Sequence, residues 1–135
     1  MRRVLDRHWY VLGDEVKAFE RDFAAYCGVA HCISLANGTD ALELALRALG
    51  IGPGDPVVLA GNAGYYGATA VALVGARPCF VDIDARTLTL SPQALQQALA
   101  QGLRPKAVLV THLYGQLADI EALSTLCSQN GIALV

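Results

Sequence analysis

The segment Leu35–Leu42 reads Leu-Ala-Asn-Gly-Thr-Asp-Ala-Leu and joins an apolar run to a strongly helical one. This order predicts a strand, a tight turn and a helix capped by Thr39 or Asp40. The first N–H groups of a helix lack partners within the helix and lie at the positive end of its dipole. Gly38 allows the backbone to approach a ligand closely. The segment therefore predicts a phosphate site, while a capped helix without a ligand shares the same local pattern.

The composition indicates one domain with an ample hydrophobic core. The 135 residues suffice for about one domain, and 54% of them are hydrophobic, against the usual roughly 45–50%. Only 16% are charged, so the chain is expected to bury both faces of a sheet or part of its surface against a partner. A net charge of −2 without any basic run argues against a nucleic-acid-binding protein.

Several other protein classes are disfavoured by the sequence. No apolar stretch reaches the roughly 20 residues of a transmembrane helix, and no apolar region follows the basic pair near the start, so we expect neither a membrane protein nor a signal peptide. Cys27, Cys32, Cys79 and Cys127 form no CxxC pair, and no histidine completes a metal-binding spacing. These cysteines are expected to be buried, reduced thiols of a cytoplasmic protein without a metal site.

Strand and helix patterns alternate about five times along the chain. The strands are apolar throughout, which is typical of a sheet covered on both faces. This alternation predicts an α/β fold with three layers, in which a mostly parallel sheet lies between helices. Residues 1–13 are predicted to be irregular. The predicted strands cover 32–35, 57–59, 79–83, 107–110 and 132–135. The first predicted helix is capped by Asp14 and closed by Gly28, and the later ones cover 40–49, 68–74, 92–100 and 120–129.

Three chemically distinctive loops follow strands of this predicted sheet. They are the turn at Asn37, the glycine- and tyrosine-rich loop at 61–67, and the loop at 112–115. In open parallel sheets, ligands bind outside the carboxyl ends of the strands. We therefore expect these loops to form one binding edge.

Four motifs occur together in a fixed order. They are Asn-Gly-Thr-Asp-Ala-Leu-Glu-Leu-Ala-Leu at 37–46, Gly-Ile-Gly-Pro-Gly-Asp at 50–55, Phe-Val-Asp-Ile-Asp at 80–84 and His-Leu-Tyr-Gly-Gln at 112–116. In this order the chain resembles the DegT/DnrJ/EryC1/StrS family of sugar aminotransferases, which use pyridoxal 5′-phosphate (PLP). The resemblance implies the N-terminal part of the large domain of a fold type I PLP enzyme. It divides the chain into an N-terminal arm, 1–13, and a partial PLP-binding domain, 14–135, truncated in its last strand.

The resemblance also assigns cofactor-binding residues. Gly38 and Thr39 match the turn that holds the PLP phosphate. The family places an aromatic residue over the pyridine ring in the loop after the second strand, where Tyr66 fits best and Tyr65 is the second choice. The local sequence departs from the family's usual Pro, aromatic and Thr pattern, and plain packing is the alternative for both tyrosines. His112 is expected to make a supporting polar contact, although a lone histidine is more often structural.

Two groups that PLP chemistry needs are absent from the chain. A lysine must form the Schiff base, and a carboxylate must pair with the pyridine nitrogen. The only lysines are Lys17, on the first predicted helix, and Lys106, at the amino end of a strand. We expect neither to carry the cofactor. The chain is thus expected to be an incomplete part of a longer enzyme, inactive alone, with no catalytic residue of its own.

The resemblance implies a homodimeric aminotransferase that transfers an amino group from an amino acid to a keto sugar. The keto sugar is expected to be nucleotide-linked. A PLP-dependent sugar dehydratase on the same scaffold is one alternative, and a non-catalytic cofactor-binding module is another. A Rossmann dehydrogenase is disfavoured because no G-x-G-x-x-G follows the first strand.

Overall fold

The computed structural model describes every residue from Met1 to Val135. The chain divides into two units, Met1–Ala36 and Asn37–Val135. This division follows the contacts within the chain. The sequence-based division into an arm, 1–13, and a partial domain, 14–135, stays a prediction about the whole protein.

The first unit begins with a helix where an irregular segment was predicted. Helix α1 spans Arg2–Arg7, so the prediction for residues 1–13 is wrong over this part. Arginine and leucine are good helix formers. The helix is also tied to the start of the next one, because Arg3 pairs with Glu15 at 3.0 Å and Arg7 pairs with Asp14.

Helix α2 spans Asp14–Cys27, and its N-cap is Gly13, so the prediction that Asp14 is the cap is wrong. The helix ends as the sequence predicts, at Gly28 in a left-handed conformation with φ of 69°. Its aromatic residues lie along one face. The rings of Phe19 and Phe23 stack with centroids 5.4 Å apart, and Tyr26 follows at 6.1 Å. All three side chains are largely exposed.

The predicted strand at 32–35 is not formed. The segment has no regular secondary structure, and the side chain of Ile33 is 76% exposed. A strand exists only through its ladder of hydrogen bonds, and no strand pairs with this segment. Its one side-chain anchor is Glu20, whose carboxylate accepts a 2.8 Å hydrogen bond from the N–H of Ser34.

The second unit is built on a four-stranded parallel sheet in the order β2-β1-β3-β4. The strands are β1 Pro56–Ala60, β2 Arg77–Val81, β3 Ala107–Leu109 and β4 Ala133–Leu134. The helices are α3 Gly38–Ala48, α4 Tyr65–Leu73, α5 Pro92–Ala100 and α6 Ile120–Gln129. The predicted α/β class with a mostly parallel sheet is confirmed.

Helices cover both faces of the sheet, which confirms the three layers. Successive residues of a strand point to opposite faces. Accordingly Val57 and Leu59 pack with α3 and α4 in one buried cluster, whereas Val58 and Ala60 pack with α5 and α6 in the other. The central strands β1 and β3 are apolar because helices cover both of their faces. At the edge strand β2, Arg77 is exposed and Phe80 is 61% exposed.

The path of the chain creates a switch point at β1. From β1 the chain crosses to β2 on one side, then returns to β3 on the other side, and the crossover helices change faces. The loops after β1 and β3 therefore diverge and leave a crevice at the carboxyl ends of the strands. None of the six helices combines the length and the apolar character needed to cross a bilayer.

Candidate functional site

A cavity of about 560 Å³ lies at this switch point. It is bounded by the start of α3, the loop after β1 with the start of α4, and the ends of β3 and β4. Its lining residues are Asn37, Gly38, Thr39, Leu42, Leu59, Ala63, Gly64, Tyr66, Gly67, Leu109, Val110, Thr111 and Val135. All of them belong to the second unit, so this unit forms the whole cavity.

The start of α3 is capped by Asn37. Its Oδ1 accepts a 3.0 Å hydrogen bond from the N–H of Asp40, and its Nδ2 donates to the Asp40 carboxylate at 2.9 Å. The prediction that Thr39 or Asp40 caps this helix is therefore wrong. Asn37 is extended, with φ of −160°, and the helix begins at Gly38, two residues before the predicted start at residue 40.

This cap leaves two N–H groups free at the cavity. The N–H of Asp40 bonds to the Asn37 side chain and that of Ala41 to the Asn37 carbonyl, but those of Gly38 and Thr39 have no partner in the chain. Nothing lies within 4 Å of where a Cβ on Gly38 would be. Two unpaired donors at the positive end of a helix dipole suit an anion.

The two tyrosines differ in position although they are adjacent. Both lie in the first turn of α4, which begins at Tyr65, three residues before the predicted start. Tyr66 lines the cavity at its rim and is 69% exposed, whereas Tyr65 is 86% exposed and does not line it. The structure thus brings Gly38, Thr39 and Tyr66 together around one cavity.

The inner wall of the cavity is apolar. Leu42 of α3, Leu59 of β1 and Leu109 of β3 form it, with Val110 and Val135 at the strand ends. An apolar wall with polar groups at one end is typical of small-molecule and cofactor sites. The arrangement suits a flat ring that carries an anionic group.

His112 lies beside the site and does not line it. Its Nδ1 accepts a 3.1 Å hydrogen bond from the N–H of Ala118, and its side chain is exposed. This bond spans the loop that contains the single helical turn Leu113–Gly115. A role of His112 in cofactor binding stays a prediction.

Sequence reasoning missed several lining residues. Thr111 lies two residues after the end of β3 and is the one hydroxyl residue that lines that side of the cavity. Its position at a strand end was a usable signal, because the carboxyl ends of parallel strands meet at one edge. Leu42 gave no such signal, since it belongs to a helix face that looks like ordinary core.

The lysines do not supply a group at the cavity. Lys106 immediately precedes β3, and its N–H donates to the Pro56 carbonyl at the amino end of the sheet, the edge opposite the cavity. In the first unit, the Lys17 ammonium lies 5.5 Å from the centre of the Trp9 ring. No group of three or more His, Cys, Asp or Glu side chains is arranged to hold a metal ion.

Comparison with known families agrees with the cavity and the sheet. The model of the DegT/DnrJ/EryC1/StrS aminotransferase family matches residues 1–135, the full length of the chain. The chain belongs to this family. The family predicted from the motifs is therefore confirmed.

Individual relatives of this DegT-family chain carry more specific names. It is 45% identical over 135 residues to UDP-2-acetamido-2-deoxy-3-oxo-D-glucuronate aminotransferase of Pseudomonas aeruginosa. Among solved structures, S. venezuelae DesV in complex with a ketimine intermediate superposes with a TM-score of 0.92 at 41% identity over 98% of the chain. NtdA from Bacillus subtilis, solved with bound cofactor PMP, gives a TM-score of 0.92 at 28% identity over 98% of the chain.

The chain spans about a third of the length of these relatives. It covers 37% of the Pseudomonas aeruginosa enzyme, 35% of the DesV chain and 30% of the NtdA chain. Over this part, the DegT-family chain has the same fold as these two solved structures.

Proposed function

We propose that this chain forms the phosphate-binding side of the cofactor site in a PLP-dependent aminotransferase. The observation that carries the proposal is the pair of unpartnered N–H groups of Gly38 and Thr39 at the apolar cavity. They belong to the first turn of α3, at the switch point of the sheet. Membership of the aminotransferase family supports the same cofactor.

The phosphate fits the polar end of the cavity. The N–H groups of Gly38 and Thr39 donate to its oxygens, and the Thr39 hydroxyl lies in the same turn. Charge-assisted hydrogen bonds of this kind are stronger than neutral ones. The absence of a Cβ on Gly38 leaves the phosphate close to the backbone.

The ring fits the apolar part. Leu59, Leu109 and Val110 exclude water from the inner side, and Tyr66 at the rim covers the ring with its own flat face. Tyr65 does not line the cavity, so we assign the stacking role to Tyr66. We also propose that His112 supports the site indirectly. Its imidazole accepts a hydrogen bond from the N–H of Ala118 and so holds the loop after β3 in place.

When bound, PLP supplies the electron sink that allows an amino group to pass between an amino acid and a keto compound. In this chain Gly38, Thr39 and Tyr66 bind and orient it. Lys106, the only lysine of the second unit, does not line the cavity. We therefore propose that the chain alone cannot catalyse transamination.

For the substrate, we infer a keto sugar, nucleotide-linked, with an amino acid as the amino donor. The name of the Pseudomonas aeruginosa relative, a UDP-linked 3-oxo sugar aminotransferase, supports this class. The dehydratase alternative is not favoured, because the matching family and the Pseudomonas aeruginosa relative are both named as aminotransferases. A non-catalytic module is not favoured on the same ground.

The assembly is inferred to be a homodimer in the cytoplasm. Helix α4 is apolar on its buried side and again on its outer side, where Tyr65 and Leu73 are exposed. Exposed apolar patches of this kind are typical of subunit contacts. All four cysteines are unpaired, which agrees with a reducing compartment.

Absorbance titration of the intact protein tests the cofactor site. We expect PLP to bind with a shifted absorbance band and pyridoxal, which lacks the phosphate, to bind at least about tenfold more weakly, as the loss of a charge-assisted hydrogen bond implies. Thr39→Val should reduce the difference in affinity between PLP and pyridoxal, whereas Lys106→Ala should leave that difference unchanged. Equal affinity for PLP and pyridoxal would contradict the phosphate site. Adding an amino acid and then nucleotide-linked or free keto sugars tests the transfer and its substrate class.

A further inference from the structure

The ring of Tyr66 occupies the space beside Gly64 that any other residue would fill. A Cβ built on Gly64 would lie 2.9 Å from both Cδ2 and Cε2 of Tyr66. Carbon atoms without a bond between them normally stay about 3.5–4.0 Å apart. The observed position of the ring is therefore compatible only with glycine at position 64.

The backbone does not need this glycine. Gly64 has φ of −60° and ψ of 160°, which is an extended conformation open to every residue type. Seven other glycines of the chain have positive φ, where a side chain is strained. Gly64 differs from them because only the neighbouring ring excludes a side chain.

Both residues line the cavity, so the contact bears directly on the site. Gly64 is also the N-cap of α4, the helix whose first turn carries Tyr66. The ring folds back toward the cap and lies against it at the rim. A methyl group at position 64 would push the ring away from this place.

We propose that Gly64 is a positioning residue that sets the orientation of the Tyr66 ring over the cofactor. This inference rests on the proposed function, since it assumes that a ring is bound beneath Tyr66. Because Gly64 has no side chain, the phenol ring of Tyr66 can take one particular orientation at the rim of the cavity. Gly64 itself needs no contact with the cofactor.

The test compares alanine substitutions at two glycines of the same loop in the intact protein. Gly64→Ala adds the clashing Cβ, whereas Gly61→Ala adds a Cβ with nothing within 4 Å and no positive φ. The two further variants are Tyr66→Ala and the double variant Gly64→Ala/Tyr66→Ala. The dissociation constant for PLP and the circular dichroism of the bound cofactor are measured for each, with thermal unfolding as a check on folding.

We expect Gly64→Ala to weaken PLP binding about three- to tenfold, the range of an aromatic stacking contact, and to alter the circular dichroism of the cofactor. Gly61→Ala should bind PLP with a dissociation constant within about twofold of the wild-type value, a change below that range. In the Tyr66→Ala background, Gly64→Ala should cause no further loss, because the ring it displaces is gone.

Two outcomes would overturn the inference. One is a Gly64→Ala protein that binds PLP with the affinity and the dichroism of the wild type. The other is an equal loss in the presence and absence of the Tyr66 ring, which would mean that Gly64 acts through the backbone. If the wild type itself binds no PLP, the proposed function fails, and that result is distinct from both.

Discussion

The side-chain amide of Asn62 donates a 2.8 Å hydrogen bond to the backbone carbonyl of Leu88. This bond joins the loop after β1, which leads to Gly64 and Tyr66, to the turn after β2. Leu88 has a left-handed backbone with φ of 58°, and the turn that holds it is closed by Asp84. The rim of the cavity is thereby connected to a rigid neighbour.

Removing the Asn62 amide should therefore loosen the rim. We expect Asn62→Ala to lower the free energy of unfolding by about 1 kcal/mol, the net worth of one hydrogen bond, and to weaken PLP binding. Asn130→Ala is the matched control, because its amide makes a 2.8 Å bond to the Leu126 carbonyl at the end of α6, near the opposite edge of the sheet. Urea unfolding and PLP titration of both variants check this. Equal effects on PLP affinity would argue against a role for Asn62 at the rim.

The turn after β2 should respond to acid through Asp84. Hydrogen bonds from the backbone N–H groups of Thr87 and Arg86 hold the pKa of Asp84 below its ordinary value. A carboxylate with a lowered folded-state pKa contributes stability above the unfolded-state value, about 3.9, and loses it as the pH falls through the folded-state value.

Asp84→Asn should thus be less stable than the wild type at pH 7, and the difference should shrink below about pH 4. Urea unfolding at pH 3 to 7 measures it. Asp82→Asn serves as control, because the N–H groups of Arg86 and Thr87 donate to Asp84 and not to Asp82. A constant difference between Asp84→Asn and the wild type at all pH values would refute the assignment.

The cap of α3 should affect both stability and cofactor affinity. Asn37→Ala removes the acceptor of the Asp40 N–H, at a cost of about 1 kcal/mol, and frees the turn that carries Gly38 and Thr39. Ser91→Ala removes an equivalent 3.2 Å cap from α5, which does not line the cavity. Both variants should lose similar stability in thermal unfolding, but only Asn37→Ala should bind PLP more weakly. A similar loss of PLP affinity in Ser91→Ala would mean that the weaker binding results from lower stability and not from the cap at Asn37.

The layer formed by α5 and α6 can be tested by a core truncation. Leu123 is fully buried against the sheet, so Leu123→Ala should lower the free energy of unfolding by about 2–5 kcal/mol. Leu49→Ala, at the exposed end of α3, should change it by less than about 1 kcal/mol. Chemical denaturation of the two variants measures this difference. A small loss for Leu123→Ala would contradict the packing of α6 on the sheet.

The sequence predicts best those helices whose ends are marked by capping residues. The predicted helix 120–129 coincides with α6, and the serine and proline at 91 and 92 mark the start of α5 as predicted. Such caps act within a few residues, so local sequence specifies them. The strand at 32–35 was not formed because its existence depends on a partner strand, which local sequence does not encode.

In the candidate site as well, local sequence predicts some residues, whereas tertiary packing places the others. Gly38 and Thr39 could be predicted from a helix start, whereas the identity of the cap, Asn37, depended on where the backbone becomes extended. Thr111 and Leu42 could not be placed, because their approach to the cavity follows from the pairing of β1 with β3 and the packing of α3. The contact between the Tyr66 ring and Gly64 depends on the orientation of one side chain, which the sequence does not specify.

The central place of β1 also matters while the protein is being synthesised. Both neighbours of β1 come later in the chain, β2 at Arg77–Val81 and β3 at Ala107–Leu109. A nascent polypeptide that has released only β1 and β2 from the ribosome keeps one hydrogen-bonding edge of the apolar strand β1 open. Such an edge is a template for aggregation. Translational pausing before β3 emerges should therefore increase the dependence of this chain on ribosome-associated chaperones.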